Sequence, residues 1–231
     1  MLRYDLVIFD NDGVLVDSEP LSNRLLADYL TELGFPTTIE DSYRDFMGAA
    51  AHTVHDVIAD RYAGAKLPAT FDEDFHARVF ASFRERLTPV AGAPELLRWV
   101  RERGIRYCVA SSAHHEWIRT AHAVTGLSPF FSDDVLFSAQ DVGRGKPEPD
   151  LFLHAAERMG VAPERCVVFE DSPLGVAAAR AAGMDVYGYA ALTPRQRLGA
   201  ATGLIEDLRQ VPALLALARG AGNCATSHPD R

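Results

Sequence analysis

Four short stretches of the 231-residue chain concentrate groups able to hold a metal ion or a phosphoryl group. The first contains Asp10, Asn11, Asp12 and Gly13. In an extended segment residues i and i+2 point the same way, so Asp10 and Asp12 present two carboxylates side by side. Neighbouring carboxylates repel, and either a shared proton or a hard divalent cation such as Mg2+ relieves the repulsion. Gly13 lets the chain turn away at once, with no Cβ to obstruct the site. An isolated Asp-x-Asp can equally be an acidic turn, so its meaning rests on the other three stretches.

Ser111 and Ser112 follow an apolar run and place hydroxyls at its end, although serine is also a common helix cap. At positions 143–150, GRGKPEPD holds Lys146 in a loop constrained by two glycines and two prolines. Only Lys66 and Lys146 among the 23 basic residues are lysines. In a chain so biased toward arginine, a lysine in that loop points to a need for a compact ammonium rather than a forked guanidinium. The fourth stretch delivers Glu170 and Asp171 from an apolar run, and Ser172 and Pro173 then open a helix. The two acids are read as completing a metal site with Asp10 and Asp12; the glycines and alanines at 175–183 are read as helix–sheet packing.

These groups can meet only if the intervening elements bring them to one edge. Short apolar runs at 6–9, 107–110, 135–137, 167–169 and 186–189 read as strands. Helical periodicity occupies 94–102, 116–124, 150–159, 173–182 and 208–218. Strands apolar on both faces and alternating with helices predict an α/β fold with a covered parallel sheet. Ligand sites in such sheets lie at the carboxyl ends of the strands, where the two acid pairs and the serines fall. Residues 17–88 break the alternation. They carry helical patterns at 21–33, 52–62 and 71–87 but no strand, which predicts an inserted helical module. The expected division is a discontinuous core of residues 1–16 and 89–218, a helical cap at 17–88 and a disordered tail at 219–231.

Composition narrows the function classes. The charge balance of 23 against 32 leaves −9 with 48% hydrophobic residues, an ordinary globular chain poorly suited to nucleic-acid phosphates or anionic membranes. No window approaches a membrane span, and the first apolar run, 6–9, stops at Asp10 and does not read as a targeting segment. Cys108, Cys166 and Cys224 lack metal-ligand spacing, and the first two read as small buried hydrophobes. A cytoplasmic monomer is the expectation.

Taken in order, the DNDGVLVDSE stretch, a strand-end serine, GKPEPDLF and EDSPLGVAAARAAGM resemble the haloacid dehalogenase superfamily of aspartate-dependent phosphotransferases. The helical insertion is similar to the cap of its β-phosphoglucomutase-like and small-molecule phosphatase branch. The resemblance implies a Rossmann-like, doubly wound parallel sheet in the order 3-2-1-4-5. It also implies Asp10 as nucleophile and Asp12 as general acid and base. Mg2+ would be held by Asp10, the Asp12 backbone carbonyl, Asp171 and Glu170, the last directly or through water. Ser111, Ser112 and Lys146 would bind the phosphoryl oxygens.

Asp12 sets the chain apart from the dehalogenases proper, in which the second aspartate is missing, and the absence of a lysine soon after Met47 and Gly48 argues against a phosphonate hydrolase. Ala51 occupies the position where β-phosphoglucomutases carry a phosphate-gripping arginine. The expected reaction is therefore hydrolysis of a small sugar or polyol phosphate such as 6-phosphogluconate or a hexose phosphate. A phosphosugar mutase is the alternative, and a phosphoacceptor signalling domain a remote one, since its acceptor lies on a later strand. Asn23, Arg24, Arg44 and His52 are candidate leaving-group contacts.

Overall fold

Strand β1 (Leu6–Phe9) is buried along its whole length, and every one of its four residues is apolar. Such a strand needs hydrogen-bonded neighbours on both sides and helices on both faces. The computed structural model, which describes residues 3–47 and 52–216, supplies both. Strand β1 pairs in parallel with β2 (Arg106–Ser111) and with β4 (Cys166–Glu170). Strands β3 (Leu136–Ser138), β5 (Asp185–Tyr189) and β6 (Gly203–Ile205) complete a parallel sheet in the order β3-β2-β1-β4-β5-β6.

The expected order is thus present with one extra edge strand. Apolar periodicity passes over β6 because it is three residues long, follows Thr202 and opens on Gly203. Every other strand lies within a residue or two of its sequence-based position.

Alternation along the strands builds two cores. Val7, Phe9, Val109, Val167, Phe169 and Tyr187 point to one face. Helices α4 (Phe71–Arg86), α5 (Ala93–Glu102), α6 (His115–Thr125) and α9 (Val211–Ala216) contribute to the same cluster. Leu6, Ile8, Cys108, Cys166, Val168 and Val186 point to the other face, under α7 (Asp150–Arg158) and α8 (Pro173–Ala181). Cys108 and Cys166 are free and buried, as their apolar setting suggests, while Cys224 lies outside the described residues.

Between β1 and β2 the chain also forms α1 (Glu19–Glu32), α2 (Ile39–Asp45) and α3 (His52–Arg61) before α4. Leu26, Leu30, Val54, Ile58, Leu67 and Phe71 form a third cluster among them. Helix α2 has no counterpart in the apolar pattern. It is short and polar, and a capping box between Thr38 and Asp41 starts it. Helix α4 belongs to both regions: Phe71 packs in the third cluster, Val79 and Phe83 in the sheet-facing one. Among the described residues no helix is long and apolar enough to cross a membrane.

Phe9, Phe169 and Tyr187 stack across three adjacent strands, with centroids 5.7 Å apart at each step. Phe169→Ala is expected to cost about 3–5 kcal/mol, read as a lower urea midpoint with an unchanged slope. A loss below about 1 kcal/mol would contradict that row's place in the core.

Candidate active site

The carboxyl ends of β1, β2 and β4 bring Asp10, Ser111 and Glu170 to one edge, because the register aligns Phe9 with Val109 and Phe169. Asp10 follows β1 directly and its backbone N–H still donates to Phe169 O at 3.0 Å. Above this edge lies a cavity of about 410 Å3 lined by Asp10, Asp12, Ser111, Ser112, Lys146, Glu19, Asn23, His76, His114 and Trp117, among others.

Lys146 is 6% exposed, whereas Lys66, the other lysine, lies on the surface. The loop between β3 and α7 carries the Lys146 ammonium beneath the cavity, where it donates to Asp10 Oδ1 at 2.8 Å and to Glu170 Oε1 at 2.5 Å. The other Glu170 oxygen accepts from the Ser172 backbone N–H at 2.7 Å and the Ser172 hydroxyl at 2.9 Å. Asp171 lies beside them, and its Oδ2 is buried with no hydrogen-bond partner. One carboxylate oxygen from each of Asp10, Glu170 and Asp171 lies within 4.8 Å of the other two.

Two glycines make that crowding possible. Gly13, at φ +76°, is in the left-handed region, and a Cβ there would stand 2.0 Å from Asp171 Oδ2. A Cβ on Gly175 would stand 1.9 Å from Glu170 Oε1. Gly175 therefore makes room for a site carboxylate, which corrects its reading as simple packing.

Electrostatically the site holds more negative charge than it can keep. Burial raises the Asp10 carboxyl to about 8, against the pull of Lys146. Burial together with Glu170, Glu19 and Asp10 pushes Asp171 well above the carboxylate range. Burial lowers the affinity of Lys146 for its proton, but Asp10 and Glu170 more than reverse that, so it stays an ammonium. Hard oxygen donors, an unpartnered buried carboxylate oxygen and uncompensated negative charge together fit a divalent cation such as Mg2+.

Asp12 has different company. Its Oδ1 accepts from the Ser18 hydroxyl at 2.6 Å and from Trp117 Nε1 at 2.8 Å. Its Oδ2 accepts from Asn11 Nδ2 at 3.1 Å, with the Ser111 hydroxyl at 3.5 Å. Ser112 Oγ is buried beside the cavity without a partner.

The sequence-based candidates divide. Asp10, Asp12, Ser111, Ser112, Lys146, Glu170 and Asp171 converge on this edge, and Asn23 lines the cavity. Arg24 and Arg44 do not line it. Both are exposed, and Arg44 binds Asp41 and Asp45 at 2.6 and 2.8 Å. The side chain of His52 and residues 48–51, Ala51 included, lie outside the described residues.

Sequence reading passes over Glu19, which is buried, bonded to Asn23 Nδ2 at 2.6 Å, and raised to about 8 by burial and by Asp12. An acid in a helix's first turn normally serves the dipole, and only its burial marks it out. His76 and His114 also line the cavity, with ring centroids 4.6 Å apart, and burial lowers the pKa of both.

The family model of haloacid dehalogenase-like hydrolases matches residues 4–183. The chain belongs to that family. As a haloacid dehalogenase-like hydrolase it is 29% identical over 191 residues to the 6-phosphogluconate phosphatase of Escherichia coli K12, covering 83% of this chain and 85% of that one. It is 32% identical over 204 residues to hexitol phosphatase A of the same organism, covering 88% and 91%. A solved haloacid dehalogenase-like protein of unknown function from Agrobacterium tumefaciens superposes with a TM-score of 0.77 at 32% identity, covering 92% of this chain and 98% of that one.

His122 on α6 supplies a pH test of the region behind Asp12. It is buried, and burial lowers its pKa from 6.5 to about 4. The unfolded chain therefore binds a proton that the folded chain refuses, and stability falls as pH drops from 6.5 toward 4, by about 3 kcal/mol. Urea unfolding of His122→Gln between pH 7 and 4.5 should show a shallower loss than wild type. Equal slopes would show that His122 is not the group responsible.

Proposed function

We propose that the chain is a Mg2+-dependent phosphatase that hydrolyses a small phosphomonoester through an aspartyl-phosphate intermediate on Asp10. The convergence of Asp10, Ser111, Lys146 and the Glu170–Asp171 pair beneath one cavity carries this reading. In it, residues 17–88 are a cap over a core formed by 1–16 and 89–218, and the cavity between them takes the leaving group. Asp10, Asp171, the Asp12 carbonyl and Glu170 would hold Mg2+, which when bound offsets the negative charge that separates an anionic nucleophile from an anionic ester. Both Glu170 oxygens already accept hydrogen bonds, which favours contact through water.

An Asp10 oxygen attacks phosphorus in line, and the bond to the leaving group breaks as Asp12 gives its proton to the departing alkoxide. Asp12, now a carboxylate, takes a proton from the water that attacks the same phosphorus, and inorganic phosphate leaves with Asp10 restored. Lys146, Ser111 and the unpartnered hydroxyl of Ser112 hold the phosphoryl oxygens. Helix α1 offers Glu19 and Asn23 to leaving-group hydroxyls, and His76 and Gln140 line the same cavity.

Sugar or polyol phosphates are the substrate class, with 6-phosphogluconate and hexose phosphates first, as the names of the relatives support. Among the described lining residues Lys146 is the single lysine or arginine. That supports a monophosphate and a phosphatase over a mutase, which must grip two phosphates.

Asp10→Asn should lower Mg2+-dependent phosphate release from 6-phosphogluconate, glucose 6-phosphate and p-nitrophenyl phosphate by roughly a thousandfold or more. Undiminished turnover would sink the mechanism. β-Glucose 1-phosphate with a bisphosphate primer, yielding glucose 6-phosphate without net phosphate release, would instead mark a mutase.

A further inference from the structure

We propose that helix α6 is the positioning element for Asp12, and that Trp117 holds its carboxyl group in register with the leaving group through the indole N–H. This rests on the reading of Asp12 as general acid and base.

Both Asp12 oxygens are braced from α6. Trp117 Nε1 donates directly to Oδ1 at 2.8 Å. The second brace runs through Asn11, fully buried between the two aspartates. Asn11 Nδ2 donates to Asp12 Oδ2 at 3.1 Å, which leaves Asn11 Oδ1 to accept from His122 Nε2 at 2.9 Å. His122 therefore carries its hydrogen on Nε2. Asn11 interrupts the apolar pattern of the segment, and this relay accounts for a buried amide there.

The chemistry of the donors suits a residue that must cycle its proton. Trp117 can donate and cannot accept, so it orients the carboxyl group without competing for the transferable proton. Trp117 and Ser18 hold Oδ1 with the two shorter bonds, at 2.8 and 2.6 Å, which assigns the proton passed to the leaving group to Oδ2, where the donors stand at 3.1 and 3.5 Å. Oδ2 is the oxygen turned toward Ser111, one of the proposed phosphoryl-binding hydroxyls.

Trp117 is itself fixed from several sides. Its backbone N–H donates to His114 Nδ1 at 3.2 Å, which pins the first turn of α6. Its ring meets Phe83 edge-on at 5.0 Å, with His76 and Phe80 at 5.8 and 5.9 Å, all on α4. His76 and Phe75 of α4 also line the cavity. The helix that shapes the leaving-group side of the cavity thus rests on the side chain that orients the acid, so seating α4 and aligning Asp12 are one packing event.

The test is Trp117→Phe, which keeps an aromatic ring and removes the donor. An alkoxide leaving group needs a proton from Asp12, whereas p-nitrophenolate departs without one. The value of kcat/KM should fall roughly tenfold or more for 6-phosphogluconate or glucose 6-phosphate, whichever wild type hydrolyses faster, and stay within about twofold for p-nitrophenyl phosphate. Phe80→Leu, which loosens the same packing but keeps the indole N–H, should show only a fraction of that selective loss. If Trp117→Phe does not fold, benzothienylalanine at 117 in a Trp99→Phe background removes the N–H from an isosteric ring and should give the same selective loss. Equal losses on both esters, or none on the alkyl ester, would overturn the proposal. Asp12→Asn separates the two levels: a selective loss there without one at Trp117 rejects only the positioning role, whereas no selective loss at Asp12 rejects the acid itself.

Discussion

Four carboxyl groups, those of Asp10, Glu19, Glu170 and Asp171, are buried near one buried ammonium, that of Lys146, which pairs with Asp10 and Glu170. An isolated charge buried in a protein is tolerated only when it is paired or neutralised. Much of the local architecture answers that constraint. Parallel register delivers the acids of β1 and β4 to one edge, the loop after β3 turns its lysine inward, and Ser172 caps both α8 and the Glu170 carboxylate. Gly13 and Gly175 leave space in which only hydrogen atoms fit. What this pairing leaves over is negative charge and a bare Asp171 oxygen, the electrostatic basis for a cation site.

Asp12 stands apart from that cluster by two residues and by kind of neighbour. Asp10 is bonded to a cation, whereas the groups that donate to Asp12 are the hydroxyl of Ser18, an indole and an amide, all neutral. Lys146 places a charge beside Asp10, whereas Asp12 is oriented by hydrogen bonds from neutral groups. One segment thereby offers two carboxyl groups suited to the two roles proposed for them, and the difference comes from what α6 and the Lys146 loop place beside each.

Much of the site was legible because its residues sit where strands end. Asp10, Ser111 and Glu170 follow or close apolar runs, and Lys146 stands out in a chain with 21 arginines, the 23 basic residues less two lysines. The leaving-group side was less legible, since helix faces carry polar residues for many reasons. Arg24 and Arg44 have suitable chemistry and face outward. Glu19 and His76 look like ordinary helix polarity until folding buries them or turns them into the cavity. Strand β6 and helix α2 were missed because each is too short or too polar to show a period.

The strand order was implied by family resemblance, whereas the sequence pattern by itself determined the parallel sheet, the helical insertion and the acids, hydroxyls and lysine that follow its strands. These follow from local patterns, since strand periodicity and turn residues act over a few positions. Only the tertiary structure decided which groups touch. The carboxylate excess around Lys146 and the bracing of Asp12 by Trp117 and by His122 through Asn11 join residues 24 to 136 positions apart. No local period encodes such contacts, because they arise when the sheet and its helices pack together.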